Sequence, residues 1–114
     1  MTRSLLLTVT LLLLAGCSDT TPVTVENRSA VLLQSVAVLG SGFKQNIGDL
    51  PPGATATAQV SPSGESGLSM SFRVNGKEVA LPPAGYFEGG GRYAVSVTVT
   101  PELRASVVSE LQQY

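Results

Sequence analysis

The chain has 114 residues, with seven Lys and Arg against eight Asp and Glu, no histidine, no tryptophan and a single cysteine, Cys17. The near-neutral balance, with Arg28, Lys44, Arg73, Lys77, Arg92 and Arg104 scattered singly, argues against a nucleic-acid partner, which calls for a clustered basic surface. The lack of histidine removes the commonest general base and the commonest metal ligand together, and a lone cysteine cannot form an internal disulfide, so most hydrolase and zinc chemistry is excluded and the core must hold the fold alone.

The N-terminal segment opens with one cation, Arg3. An apolar stretch from Leu5 to Leu14 follows, broken only by Thr8 and Thr10. Ten residues are too few to span a bilayer, which takes about 20, but they suit the hydrophobic region of a secretory signal peptide. The stretch ends in Leu14-Ala15-Gly16-Cys17, and small polar residues come next. These four residues resemble the lipobox of bacterial prolipoproteins, in which small side chains before the cysteine admit a dedicated signal peptidase once the thiol is acylated. The resemblance implies a signal peptide over 1–16, signal-peptidase recognition through Leu14, Ala15 and Gly16, and a mature chain beginning at a lipidated Cys17 with three acyl chains. Two or more chains hold a protein stably where one does not. In such lipoproteins an aspartate directly after the cysteine favours inner-membrane retention. Ser18 stands there, with Asp19 one further on, so the expected address is the periplasmic face of the outer membrane in a bacterial cell envelope.

Cleavage before Cys17 takes 16 residues from 114 and leaves 98, enough for one small domain. With Arg3 gone and the new amine acylated, the mature chain carries six cations against eight carboxylates, a net charge of −2. Residues 17–22 read as the lipidated cysteine and a short tether that keeps the domain near the membrane, and residues 23–114 read as the domain.

From Val23 onward the apolar period is two. Val23 to Glu26 is a strand, and Val31 to Leu39, apolar on both faces, reads as a central one. Ala54, Ala56, Ala58 and Val60 alternate with Thr55, Thr57 and Gln59. Leu68, Met70, Phe72 and Val74 alternate with Ser69, Ser71 and Arg73. The next pair, Asn75-Gly76, is the preferred one for a type I′ hairpin, whose two central residues both need φ > 0. That turn predicts a register of Val74 opposite Lys77, Arg73 opposite Glu78, Phe72 opposite Val79 and Met70 opposite Leu81. Tyr93 to Val99 is another strand. Turns are expected at Asn27-Arg28-Ser29, Gly40-Ser41-Gly42, Pro51-Pro52-Gly53, Ser61-Pro62-Ser63-Gly64, Pro82-Pro83 and Gly89-Gly90-Gly91. Past Pro101 the pattern admits a helix carrying Leu103, Val107, Leu111 and Tyr114, or a strand from Ala105 to Leu111 paired with Tyr93 to Val99. Val107-Val108 flanked by serines favours the strand.

About seven short strands in some 90 residues predict an all-β fold, a small antiparallel β-sandwich of Ig-like architecture without the Ig cysteine pair or tryptophan.

Little in the domain carries chemistry. Gly64-Glu65-Ser66-Gly67 lacks the glycine two residues after the serine that an esterase nucleophile elbow needs, and reads as a loop between strands. The carboxylates Asp19, Glu26, Asp49, Glu65, Glu78, Glu88, Glu102 and Glu110 never recur at calcium-loop spacing, so no metal and no cofactor is expected. Asn27-Arg28-Ser29 matches a glycosylation acceptor by chance. The stretch from Gly85 to Gly91 is the most unusual. Its Tyr86 and Phe87 read either as aromatics tucked over the end of the core in a flexible crossover, the favoured reading, or as a candidate partner-binding loop. The expectation is thus a non-enzymatic, membrane-anchored periplasmic lipoprotein whose domain is an interaction module for an envelope protein or cell-wall polymer. The alternative is a structural accessory subunit of a cell-envelope transport or assembly complex.

Overall fold

The computed structural model describes residues 20–112. The expected signal peptide, Leu14, Ala15, Gly16, Cys17 and the first tether residues lie outside the described residues, as does Tyr114. Eight strands follow one another, with no helix among the described residues. They are β1 (Thr21–Asn27), β2 (Leu33–Gly40), β3 (Phe43–Leu50), β4 (Thr55–Val60), β5 (Glu65–Val74), β6 (Lys77–Glu88), β7 (Tyr93–Val99) and β8 (Ala105–Leu111). Two four-stranded sheets, in the orders β4-β1-β7-β8 and β3-β2-β5-β6, pack as a sandwich. Every pairing is antiparallel except that of β1 with β7, which is parallel. Thr21 and Pro22, expected at the end of the tether, already belong to β1.

Strict alternation builds the first sheet. Val23 and Val25 of β1 and Val95, Val97 and Val99 of β7 are fully or almost fully buried, while Thr24, Glu26, Ser96 and Thr98 face outward. The second sheet answers with Leu33, Val36 and Val38 of β2, Leu68, Met70 and Phe72 of β5, and Phe87 of β6. In β2, Leu33 and Val36 both reach the core although they stand three positions apart. An irregularity between them, with Ser35 at φ 51° and its N–H donating to Asp49 Oδ1 at 2.9 Å, shifts the parity so that Val36 and Val38 point inward. β2 lies between β3 and β5, a central place as its sequence predicts.

The hairpin from β5 to β6 has the predicted register at all four positions, and Asn75 and Gly76 have φ of 51° and 78°. Arg73 and Glu78 oppose each other across the ladder, while the Arg73 guanidinium donates to Gly76 O at 3.3 Å. A Cβ on Gly76 would meet nothing within 4 Å, so Gly76→Val isolates the backbone cost of positive φ. Urea melts of this variant should show a loss of about 1–3 kcal/mol.

At two places the structure departs from the local pattern expected of the sequence. Pro82-Pro83 is not a turn but part of β6, where the missing N–H groups are tolerated on an edge strand and the register slips between Leu68 and Met70. Glu65, Ser66 and Gly67 are not loop but the start of β5, paired with the end of β6. The segment Phe43–Leu50, which carries no alternating pattern, is edge strand β3. The C-terminal segment is a strand and not a helix: β8 pairs with β7 from Tyr93↔Leu111 to Val99↔Ala105.

Candidate functional site

The strand directions sort the molecule into two ends. Thr21 pairs with Val60, β1 and β7 run the same way, and Tyr93 pairs with Leu111. The first described strand residue, the last one, and the connections 41–42, 61–64 and 89–92 therefore gather at one end, the Thr21 end. The connections 28–32, 51–54, 75–76 and 100–104 gather at the other, the Asn27 end.

Backbone hydrogen bonds tie the loops of the Thr21 end to one another. Ser63 N–H donates to Ser41 O and Gly89 N–H to Gly64 O, both at 2.9 Å. Gly89 sits so close to the Pro62 carbonyl that a Cβ would overlap it. The triglycine stretch is thus anchored at Gly89 against its neighbours, in place of the flexible crossover its composition suggests.

Tyr86 and Phe87 lie not in a loop but in the last turn-ward residues of β6, and the alternation of the strand separates them. Phe87 is fully buried, with its ring centroid 6.3 Å from that of Phe43. It closes the Thr21 end of the core from within. Tyr86 is 46 % exposed. Its ring stands edge-on to Tyr93, with centroids 6.4 Å apart and planes at 83°, and its hydroxyl donates to Glu88 Oε2 at 2.7 Å. The candidate partner-binding pair therefore comes down to one outward aromatic, Tyr86, backed by Tyr93 and flanked by Leu111, which is 61 % exposed.

That hydrogen bond to Glu88, with desolvation and the charges of Glu65 and Glu88 adding to it, pushes the Tyr86 phenol up to about 12 from the ordinary 10. A raised folded-state pKa means that the folded chain holds this proton more tightly than the unfolded one. The bond's stabilisation is complete below pH 10 and is lost as pH rises through 12. Ultraviolet titration of the phenols should show Tyr86 ionising near pH 12, and Glu88→Gln should bring it down toward the ordinary range.

Ser66, the serine of the elbow-like sequence, is buried. Its Oγ accepts from Ser41 N–H at 3.0 Å and donates to Gly67 O at 2.7 Å. This is a structural role, holding the 41–42 turn onto β5. It borders an open cleft of about 320 Å³ whose lining includes Glu65, Ser66, Ser69 and Pro83.

Nothing in the sequence marks Asn27 as a buried polar anchor. It is fully buried at the opposite end. Its Nδ2 donates to Val31 O and Leu50 O, both at 2.8 Å, and its Oδ1 accepts from Ser29 N–H at 2.9 Å and Ser29 Oγ at 2.7 Å. The Asn-x-Ser pattern that mimics a glycosylation acceptor is a capping device joining the β1–β2 connection to the end of β3.

No protein-family model matches the chain, and no curated protein matches it. Among solved structures, an NMR structure of a protein from Eubacterium rectale is similar over 86 % of this chain and 98 % of its own, at 15 % identity and a TM-score of 0.53. At that identity the likeness extends to the fold alone.

Proposed function

We propose that the mature protein is a lipid-anchored, non-enzymatic interaction module of the bacterial envelope, held by an acylated Cys17 at the periplasmic face of the outer membrane. The observation that carries the reading is the sequence Leu14-Ala15-Gly16-Cys17 behind a ten-residue apolar stretch with one cation ahead of it. The fold is consistent with it: β1 begins at Thr21, four residues after Cys17, so a complete domain follows the cysteine with almost no linker. A binding role in place of catalysis is supported by the lack of histidine in the chain and by the engagement of Ser66 Oγ in backbone hydrogen bonds. Away from the Thr21 end, Leu32 in the β1–β2 connection, 40 % exposed, and Val108 on β8, 54 % exposed, offer apolar contact to an envelope protein or a cell-wall polymer.

The test is metabolic labelling with palmitate. Wild-type protein should take up label and sediment with membranes, whereas Cys17→Ser should lose both the label and the membrane association. An unlabelled, soluble wild-type protein would overturn the reading. In the labelled protein, envelope crosslinking separates the two forms of the module: retention on cell-wall polymer or on several proteins favours a binding domain, and one stoichiometric partner favours an accessory subunit.

A further inference from the structure

Resting on the anchor reading above, we propose that the Thr21 end of the sandwich lies against the bilayer, and that Tyr86, Tyr93 and Leu111 form the surface that enters its headgroup region. Three observations converge on this end. Tyr86 and Leu111 are two of the large apolar side chains left most exposed by the fold, and both meet Tyr93, one through the edge-on ring contact and the other as its cross-strand partner. The parallel pairing of β1 with β7 puts Thr21 at the same end as Tyr93. From Cys17 to Thr21 the chain takes four steps, a reach of about 14 Å at most when fully extended, roughly twice the ~5–7.5 Å depth of a headgroup layer, so this end is held close to the surface.

The chemistry of the patch fits the same occupant. Tyrosine suits the boundary between hydrocarbon and water because its ring is apolar and its hydroxyl is not, and leucine adds contact area below it. The interlocked loops behind the patch hold it as a fixed shape, so little conformational freedom is lost on contact. The charges bear on the lipid. Glu65 and Glu88 oppose each other across the β5–β6 ladder and Glu110 lies one residue from Leu111, against Arg92 beside Tyr93 and Lys44 beside Phe43, three carboxylates to two cations. An excess of carboxylates at this end disfavours anionic headgroups and admits zwitterionic ones.

The chain contains no tryptophan, so one introduced tryptophan reports alone. Mature acylated protein, residues 17–114, bearing Tyr86→Trp is reconstituted in phosphatidylcholine vesicles with brominated acyl chains, with Leu111→Trp as a second reporter at the same end and Leu32→Trp at the far one. Acylation of Cys17 is verified by mass on each sample. Emission from the Tyr86 and Leu111 positions should shift to shorter wavelength and be largely quenched, with the Leu32 position unaffected. Added phosphatidylglycerol at low salt should weaken the quenching. Acylated protein in which all three positions emit alike, or in which Leu32→Trp alone is quenched, overturns the orientation and leaves the anchor standing. Unacylated protein overturns both.

Discussion

Phe87→Ala should destabilise the domain by about 3–5 kcal/mol, while Tyr86→Ala, one residue earlier, should cost about 1 kcal/mol or less. The contrast follows from burial. Phe87 is fully enclosed by core residues of both sheets and packs against Phe43, so truncation leaves a cavity that the interlocked loops of the Thr21 end cannot collapse to fill. Tyr86 is half in solvent and surrenders an edge-on ring contact and one exposed hydrogen bond. A domain of this size is stable by only about 5–15 kcal/mol, so Phe87→Ala removes a large share of the total and should lower Tm by more than about 10 °C. Thermal and urea melts of the two variants side by side decide the matter. Equal losses would mean that strand alternation at the end of β6 does not hold.

Asn27→Leu is expected to be the costliest polar substitution, at about 2–6 kcal/mol by urea denaturation. Leucine matches the side chain in size and keeps the site filled, but it removes two donors and one acceptor at a position without access to water. Leu50 O and Ser29 N–H lose their Asn27 partners inside the protein, at about 1–3 kcal/mol for each group left unsatisfied. Asn27→Asp should do no better near neutral pH, because a carboxylate would face the Val31 and Leu50 carbonyls with no proton to give. A loss below about 1 kcal/mol for Asn27→Leu would show that water replaces the amide and that the β1–β2 connection is not closed by it.

Where side chains alternate and turns have demanding chemistry, the fold is legible from residues alone. Met70 to Leu81 is the clearest case: a period of two on both sides of Asn75-Gly76 fixes the pairing residue by residue, because a slip by one would send Phe72 and Met70 into solvent. The segments that escape such reading are those with register irregularities. In β3, Phe43, Ile47 and Leu50 are spaced by four and three, a helical interval, because the ladder to β2 slips between Val36 and Ala37. In β6, Pro82, Pro83 and Gly85 look like the end of an element, yet an edge strand needs neither the proline N–H groups nor a strict register. The candidate site has the same history. Tyr86 and Phe87 stand out as aromatics among glycines, but only the continuation of β6 through them shows that one faces inward and the other outward. Asn27 escapes such reading for a different reason. An Asn-x-Ser stretch is ordinary turn composition, and its burial depends on the end of β3, more than 20 residues away in sequence.

Acylation of Cys17 is the central element of the proposed function. The decisive measurement is mass spectrometry of the N-terminal peptide from protein purified out of bacterial membranes. The expected result is a peptide that lacks residues 1–16 and begins at Cys17, with a mass increment equal to a diacylglyceryl group on the thiol and a third acyl chain on the amine. A peptide that retains the apolar stretch from Leu5 to Leu14, or one carrying an unmodified Cys17, would contradict the account.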